Sequence, residues 1–372
     1  KLVEKNGHLC WDLAHLYREI VAGMKACKAA GKIPSTMGID TWAVDFVLLD
    51  GNDQVLGDTV AYRDGRTQGM DEKVSEKISI QELYRRTGIQ KQVFNTIYQL
   101  MAVKEEHPEY LQQAKSFLMV PEYFNFLLTG VKKNEYTNAS TTQLVDAGTR
   151  TWDFDLIARL ELPTNLFGDL HLPKTLVGPL KDEVRQEVGF DCDVVLPATH
   201  DTGSAVLAVP ANDDDYIYLS SGTWSLMGVE SKTPNCTEES RQLNFTNEGG
   251  YDYRYRYLKN IMGLWIIQSI KRELNNQYTF DQLCEQAMEA NSFASRIDVN
   301  DGSFLAPESM IGAVKDYCKA SGQPVPQNVG ELMACVYNSL AKSYGETVRQ
   351  LEKMTGRTYR RLHIVGGGTK DG

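Results

Sequence analysis

The stretch 194–229 constrains the fold of this chain more than any other, because it joins a strand, a helical segment and a hairpin without a break. An apolar run leads into Asp201, and a short segment of helical character follows. Two β-rich runs, 216–219 and 224–229, are then joined by Ser-Ser-Gly-Thr at 220–223. A strand that ends in polar residues before a helix is typical of an α/β sheet, where ligands bind at the carboxyl ends of strands. We therefore interpret Asp201 as a base that faces a phosphate-binding turn.

Apolar residues at helical spacing predict helices in both halves of the chain. The predicted helices cover 12–30, 80–86, 95–106, 107–116, 121–129, 181–188, 263–275, 279–290 and 329–354. Further strands are predicted at 44–48, at 253–258 and at 361–365, with a return strand over 54–56 after an Asp-Gly turn. This order predicts two similar α/β units and a ligand cleft.

Bulk properties narrow the class of protein. A length of 372 residues indicates about two domains. The net charge of −10 argues against a nucleic-acid partner. No apolar run reaches the ~18 residues of a membrane span. The seven cysteines, an odd number without CxxC spacing, indicate reduced thiols in a cytoplasm, and the sequence leaves open whether Cys318 and Cys335 are bonded. Lys1 is not Met and the chain ends on a glycine turn, so we expect further residues at both ends.

The carboxylate of Asp201 has two interpretations. Phosphoryl transfer needs a carboxylate near the attacking hydroxyl, and an Asp between a strand and a helix can supply it. Alternatively, Asp201 or Thr202 is simply the N-cap of a helix over 203–209. The adjacent His200 shows no ligand spacing with the other histidines, so we predict a hydrogen-bonding role and no metal ligation.

Three other polar segments also have more than one interpretation. The turn at 220–223 is either an anion nest of backbone N–H groups or an ordinary hairpin. Gly366–Gly368 follows a strand and lets a ligand approach the backbone closely, but it matches neither GxGxxG nor GxxxxGK[ST]. Asp40, Thr41 and Asp45 mark either a ligand site beside a strand or ordinary loop polarity.

Taken together, these segments resemble the FGGY family of carbohydrate kinases. The matching stretches are GIDTWAVDFVLLD (38–50), AYRDGRT (61–67), PEYFNFLLTG (121–130), EYTNASTTQLVD (135–146), ATHDTGSAV (198–206), YLSSGTWSLMG (218–228), NEGG and KNIMGLW within 247–265, and HIVGGG (363–368). The resemblance implies an α/β fold of two ribonuclease-H-like domains, as in actin and hexokinase, around a central cleft. It implies a sugar-binding domain at 1–209 and an ATP-binding domain at 210–372. The family's first strand, with its Asp-Gly phosphate turn, is expected before Lys1, and a further helix is expected after Gly372.

The resemblance also implies roles for individual residues. Asp201 matches the catalytic base. The implied sugar contacts are Ala43, His200, Asp201, Thr202 and Asn260. The implied ATP contacts are Thr223, Gln268 and Gly367, with Ser221 and Gly222 building the phosphate turn. The implied reaction is transfer of the γ-phosphoryl group of ATP to O1 of L-rhamnulose with Mg²⁺. Another ketose such as L-fuculose or xylulose, or a non-catalytic sugar sensor of the same superfold, remains an alternative, and oligomeric state is not predicted.

Overall fold

The computed structural model describes residues 2–211 and 213–370, which form two compact units. Unit 1 comprises residues 1–207 and 230–257, and unit 2 comprises 208–229 and 258–372. The chain therefore leaves unit 1, returns to it and leaves it again. In the part of the chain that is described, no helix is both long and apolar enough to cross a membrane.

Unit 1 alternates short strands with helices. Its strands are β1 (Leu2–Lys5), β2 (His8–Trp11), β3 (Thr36–Met37), β4 (Phe46–Leu49), β5 (Ser116–Met119), β6 (Asn134–Glu135), β7 (Leu170–His171), β8 (Leu176–Pro179) and β9 (Asp193–Val195). Its helices are α1 (Leu13–Ala29), α2 (Met70–Ser75), α3 (Ile80–Thr87), α4 (Thr96–Glu106), α5 (Pro108–Gln113), α6 (Val120–Thr129), α7 (Tyr136–Ala139), α8 (Phe154–Arg159), α9 (Asp182–Val188) and α10 (Asp201–Leu207). The pairs β1–β2 and β4–β5 are antiparallel, β6–β7 is parallel, and β9 lies between β3 and β8.

The ends of the unit 1 helices follow local sequence signals. The carboxylate of Asp12 accepts a hydrogen bond from the backbone N–H of His15 and so caps α1. Helix α6 has Pro121 in its first turn, where the missing N–H costs nothing, and Gly130 in the left-handed conformation at its end. These two helices lie where the sequence predicts them.

The strand pair β4–β5 forms the centre of the unit 1 core. Phe46, Leu48, Phe117 and Met119 point into one apolar cluster, while Val47, Leu49, Leu118 and Val120 belong to another on the opposite face. Successive residues of a strand point to opposite faces, so a strand buried on both faces must be apolar throughout. The run FVLL in β4 has this composition.

The structure corrects the bounds of two predictions around this pair. The return strand predicted at 54–56 is shortened to an antiparallel bridge between Leu49 and Val55, with a backbone hydrogen bond on each side of it. Strand β4 also pairs with β5, with Phe46 opposite Met119. The helix predicted at 107–116 ends at Gln113. The apolar residues that follow are buried as a strand, which places them against the core from both sides.

The chain passes from unit 1 into unit 2 and back through strands and short helices. The remaining strands are β10 (Tyr216–Ser221), β11 (Ser225–Ser231), β12 (Thr246–Gly249), β13 (Tyr255–Ile261) and β14 (Arg361–Val365). The remaining helices are α11 (Glu238–Gln242), α12 (Trp265–Glu273), α13 (Phe280–Glu289), α14 (Met310–Ala320) and α15 (Val329–Thr355). The strand predicted at 253–258 begins only at Tyr255, because Tyr251–Tyr253 forms a 3₁₀ turn.

Unit 2 is organised around β10. This strand pairs antiparallel with β11, with Ser221 opposite Ser225, and parallel with β14. Helices α12 to α15 complete the unit. The buried side chains of Cys318 on α14 and Cys335 on α15 bring their Sγ atoms to 4.0 Å, and both thiols are free.

Candidate active site

Asp201 lies at the first position of α10, directly after the loop that follows β9. Backbone hydrogen bonds tie this loop to Thr41: Thr41 N donates to Thr199 O at 3.0 Å, and Asp201 N donates to Thr41 O at 2.8 Å. The amides of Gly203 and Ser204 donate to His200 O. The capping interpretation of Asp201 is therefore wrong, because a backbone carbonyl accepts the hydrogen bonds that a capping carboxylate would accept.

The carboxylate of Asp201 is oriented on one side and accessible on the other. The hydroxyl of Thr202 donates to Asp201 Oδ1 at 3.0 Å, and 58% of the aspartate side chain is exposed. Partial desolvation by the surrounding protein raises the pKa of Asp201, the Asp40 carboxylate raises it further, and the hydrogen bonds from Thr202 oppose the rise. An accessible carboxylate whose pKa is raised is a stronger proton acceptor than a free aspartate.

His200 is buried beside Asp201 and is held between two elements. Arg256 Nη2 on β13 lies 3.0 Å from His200 Nδ1, and Thr202 Oγ1 lies 2.8 Å from His200 Nε2. Burial, and then the charge of Arg256, lower the pKa of His200 well below its ordinary value. The imidazole is therefore neutral at physiological pH, and its predicted hydrogen-bonding role matches these contacts.

Two buried glutamates lie beneath the loop that precedes Asp201. Glu135 accepts hydrogen bonds from the backbone N–H groups of Thr137, Asn138 and Thr199 and from the hydroxyls of Thr137 and Thr199. The Thr199 hydroxyl also lies 3.0 Å from Glu122 Oε1. A hydroxyl has only one proton to donate, so both contacts are satisfied when Glu122 is protonated and itself donates to Thr199.

The protonation states of the two glutamates follow from their surroundings. No described lysine, arginine or histidine forms an ion pair with Glu122 or Glu135. Burial raises the pKa of both carboxyls, and the hydrogen bonds that Glu135 accepts oppose its rise. The charge of Glu135 adds to the burial of Glu122 and raises the pKa of Glu122 to about 8. Because Glu135 accepts five hydrogen bonds, we assign the buried negative charge to Glu135, and Glu122 keeps its proton at neutral pH.

The segment of the predicted sugar contact Ala43 is strained and firmly held. Val44 adopts φ 67°, a left-handed conformation that is unfavourable for a β-branched residue. Its carbonyl accepts hydrogen bonds from Thr96 Oγ1 at 2.7 Å and Gln99 Nε2 at 3.3 Å. The parallel bridge between Thr41 and His200 joins this segment to the Asp201 loop.

Asp45 fixes the same segment from inside the protein. Its buried carboxylate accepts hydrogen bonds from the indole N–H groups of Trp11 at 2.6 Å and Trp42 at 2.9 Å, and from Gln99 Nε2 at 2.9 Å. The two indole rings pack at a centroid distance of 4.0 Å. Burial raises the pKa of Asp45 to about 6 although these donors lower it. Asp45 therefore acts as a structural centre of the loop.

The remaining predicted site residues belong to unit 2. The tip of the β10–β11 hairpin is formed by Gly222 to Trp224, and its carbonyls accept hydrogen bonds from the start of α12. Leu264 N donates to Gly222 O and Trp265 N donates to Thr223 O, each at 3.1 Å. Gln268 lies on α12 itself. Backbone hydrogen bonds thus join the hairpin tip to the start of α12, and the two together form one corner of unit 2.

The glycine turn after β14 packs against the same corner. A Cβ atom at Gly366 would lie 2.6 Å from Ser221 O, and one at Gly368 would lie 2.0 Å from Ser221 Oγ. A Cβ at Gly367 would meet no atom within 4 Å. Two of the three glycines are therefore required for packing, whereas Gly367 faces open space, where a ligand can approach the backbone.

The structure thus divides the predicted residues between the units. Ala43, His200, Asp201 and Thr202 are together in unit 1. Ser221, Gly222, Thr223, Asn260, Gln268 and Gly367 are in unit 2. Within residues 2–211 and 213–370, no group of three or more His, Cys, Asp or Glu side chains could hold a metal ion.

Family models match both halves of the chain. The N-terminal domain of the FGGY family of carbohydrate kinases matches residues 2–208, and the C-terminal domain of the same family matches residues 217–372. The chain therefore belongs to the FGGY family of carbohydrate kinases, and it is a phosphotransferase that acts on a sugar.

The sequence is also similar to curated relatives over its whole length. It is 52% identical over 371 residues to a rhamnulokinase of Oceanobacillus iheyensis, covering 100% of this chain and 78% of that protein. It is 41% identical over 369 residues to a rhamnulokinase of Bacillus subtilis, covering 99% of this chain and 76% of that protein.

Solved structures show the fold. A xylulose kinase from Rhodospirillum rubrum superimposes with a TM-score of 0.81 at 17% identity, over 100% of this chain and 76% of that one. A glycerol kinase from Plasmodium falciparum with ADP gives a TM-score of 0.70 at 16% identity, over 99% and 76% of the two chains. The predicted α/β, ribonuclease-H-like class is confirmed.

The sequence interpretation missed the buried residues behind Asp201, namely Arg256, Glu248, Glu122, Glu135 and Thr199. One signal was visible for Glu122, a charged residue within the otherwise apolar and aromatic start of α6. Another was the alternation of aromatic and basic residues in β13, which places Arg256 on one face of a strand.

Proposed function

We propose that this chain phosphorylates L-rhamnulose at O1 with ATP, yielding L-rhamnulose 1-phosphate and ADP, in the cytoplasm as a step of L-rhamnose catabolism. The observation that carries the substrate is the 52% identity to a rhamnulokinase along the entire chain. We further propose that residues 1–209 bind the sugar and residues 210–372 bind ATP, the division implied by the family resemblance. Membrane and nucleic-acid partners are not part of the proposal.

Asp201 is the proposed general base. Its carboxylate would accept the proton of the O1 hydroxyl while O1 forms a bond to the γ-phosphorus and the bond from that phosphorus to the β–γ bridging oxygen breaks, so that ADP leaves. Its exposed side chain and raised pKa support this role. Ala43, His200, Thr202 and Asn260 are proposed as sugar contacts.

The proposed ATP contacts are Thr223, Gln268 and Gly367, with the turn of Ser221 and Gly222 supplying backbone N–H groups to the phosphates. Mg²⁺ is the proposed metal cofactor, and in proteins it is usually held by one or two carboxylates together with substrate phosphates. The ion would neutralise phosphate charge during transfer.

Turnover across a panel of ketoses tests this function. ADP release by the purified protein is expected to be fastest with L-rhamnulose, compared with L-fuculose and D-xylulose. A preference for another ketose would replace the substrate but keep the reaction. Sugar-dependent protection of unit 1 without ADP release would favour the non-catalytic sugar sensor.

The Asp201→Asn variant tests the base. Asparagine keeps the size of the side chain but cannot accept a proton, so kcat is expected to fall by roughly 10²- to 10⁴-fold, with little change in sugar affinity. Equilibrium sugar binding and kcat are measured on the same preparation. Near-normal turnover would remove Asp201 from the chemistry.

A further inference from the structure

Arg256 is a fully buried arginine on β13 that makes polar contacts with Gly249, Glu248 and His200 in unit 1. Its guanidinium is 0% exposed. Nε donates to Gly249 O at 3.0 Å, and Nη2 lies 3.0 Å from both Glu248 Oε2 and His200 Nδ1. Glu248, itself 6% exposed, balances the buried charge. A buried ion pair of this kind is costly to form, so its position against His200 calls for an explanation.

The contact with Arg256 decides which nitrogen of His200 carries the proton. A guanidinium has only donors, so the nitrogen it faces must present a lone pair. The Nη2–Nδ1 contact at 3.0 Å has hydrogen-bond geometry and is shorter than the 3.4 Å between Nδ1 and Glu248 Oε2, so we assign Nδ1 as the acceptor. The single proton of the neutral imidazole then lies on Nε2.

This tautomer gives the neighbouring hydrogen bonds a direction. His200 Nε2–H donates to Thr202 Oγ1 at 2.8 Å. The Thr202 hydroxyl, having accepted this bond, keeps its own proton for Asp201 Oδ1 at 3.0 Å. With the proton on Nδ1 instead, Nε2 would compete with Asp201 for the Thr202 proton.

We propose that Arg256 and Glu248 are positioning residues that, through His200 and Thr202, orient the carboxylate of Asp201. The inference rests on the proposed role of Asp201 as the base. Each member donates to the next, from Arg256 to His200, from His200 to Thr202 and from Thr202 to Asp201. Glu248 holds the guanidinium in place through its charge. Residues that act behind a catalytic group in this way fix its geometry without contacting the substrate.

The first measurement needs no substitution. In protein labelled with ¹⁵N-histidine, the chemical shifts of His200 distinguish a protonated ring nitrogen from an unprotonated one. The proposal expects Nε2 protonated and Nδ1 unprotonated at pH 7. A protonated Nδ1 would overturn it. The signals are assigned by their loss in a His200→Gln variant.

The second measurement separates the Thr202 hydroxyl from its bulk. Thr202→Val keeps the shape but removes the donor to Asp201, and kcat is expected to fall on the order of 10²-fold. Thr202→Ser restores the hydroxyl and is expected to restore most of kcat. Equal losses in both variants would overturn the proposal, because the hydroxyl would then not matter.

The third measurement tests Arg256 and Glu248, where the series of hydrogen bonds begins. Arg256→Gln and Glu248→Gln are expected to lower kcat by roughly 10-fold or more, with sugar KM little changed, and to shift His200 toward a mixture of tautomers. Arg86→Gln is the matched control, since Arg86 pairs with Asp153 elsewhere in unit 1. It is expected to lower stability but to leave the His200 shifts and kcat unchanged.

Failure of the inference is distinguishable from failure of the proposed function. If Asp201→Asn retains turnover, the base assignment fails whatever the tautomer. If Asp201→Asn is inactive while Arg256→Gln folds and keeps both kcat and the wild-type tautomer, the positioning role fails and the base stands.

Discussion

The Asp201 loop in unit 1 and the glycine turn in unit 2 are held in place by different kinds of contact. The Asp201 loop is held by buried side chains from separate segments, including Glu135 and Arg256. The glycine turn is held by backbone contact, because Gly366 and Gly368 lie against Ser221 and leave no space for a Cβ atom. The first region depends on charge and proton placement, and the second depends on shape.

This difference determines how each region tolerates substitution. In a buried polar network, a change that preserves shape but alters a donor or acceptor leaves partners unsatisfied. In a close backbone contact, even one added methyl group overlaps neighbouring atoms. The volume of the new group therefore decides the effect, and its polarity does not. Matched pairs of variants in each region therefore test whether the comparison is correct.

The largest effect is expected for Glu135→Gln. Glu135 accepts hydrogen bonds from five donors. The amide replaces one carboxylate oxygen by an NH₂ group, so some of these donors lose their acceptor. Each unsatisfied buried donor costs roughly 1–3 kcal/mol, so we expect a loss of about 3 kcal/mol in the free energy of unfolding. Urea denaturation measures it.

Glu122→Gln is the control for that variant. The protonated carboxyl of Glu122 and a glutamine amide both offer a donor toward Thr199 Oγ1, so the loss is expected to stay below ~1 kcal/mol at pH 7. Equal destabilisation by the two glutamine variants would contradict the assignment of Glu135 as the buried anion.

An intermediate effect is expected at the glycine turn. In Gly368→Ala the new methyl group would lie 2.0 Å from Ser221 Oγ, and overpacking of this kind costs about 2 kcal/mol. Gly367→Ala meets no atom within 4 Å, so its thermal stability is expected to remain near wild type while KM for ATP rises. Wild-type stability of Gly368→Ala would refute the shape argument.

Expressed per pH unit, the smallest effect is a pH dependence that originates at Glu122. Its folded pKa of about 8 lies above the ordinary value of 4.5, so between these two pH values the folded state holds a proton that the unfolded state has lost. Stability therefore falls as pH rises through this window, by up to about 1.4 kcal/mol per pH unit, and the fall levels off above the folded pKa. Denaturation midpoints at several pH values measure this slope.

In Glu122→Gln this contribution is absent, so the variant's stability should decline less steeply with pH than that of the wild type. The difference between the two proteins removes the effect of other titrating groups such as Asp45 and His200. Parallel curves across the window would show that Glu122 does not hold a proton.

The elements that the sequence predicted well are those with local signals. Helix α6 follows from Pro121 and Gly130 at its ends, and the β10–β11 hairpin follows from two β-rich runs around a turn. The glycine turn after β14 is equally local. The choice of a catalytic role for Asp201 came from resemblance, since its residues alone left a base and a helix cap as alternatives, and the base role remains a proposal.

What the sequence did not reveal depends on contacts between distant segments. The fold brings together Glu122 on α6, Glu135 on β6 and Thr199 in the loop after β9. No spacing along the sequence predicts this contact. Strand β5 was missed for the same reason, because the partner that makes it a strand, β4, lies about seventy residues earlier.

The Asp45 carboxylate has a spectroscopic consequence. It holds the indoles of Trp11 and Trp42 in van der Waals contact, and Trp42 lies between Thr41 and the proposed sugar contact Ala43. Two indoles this close couple their electronic transitions, so they contribute a paired signal to the near-ultraviolet circular dichroism and to fluorescence. With only five tryptophans in the chain, this pair gives the segment of the proposed sugar contact its own optical reporter, which needs no added label.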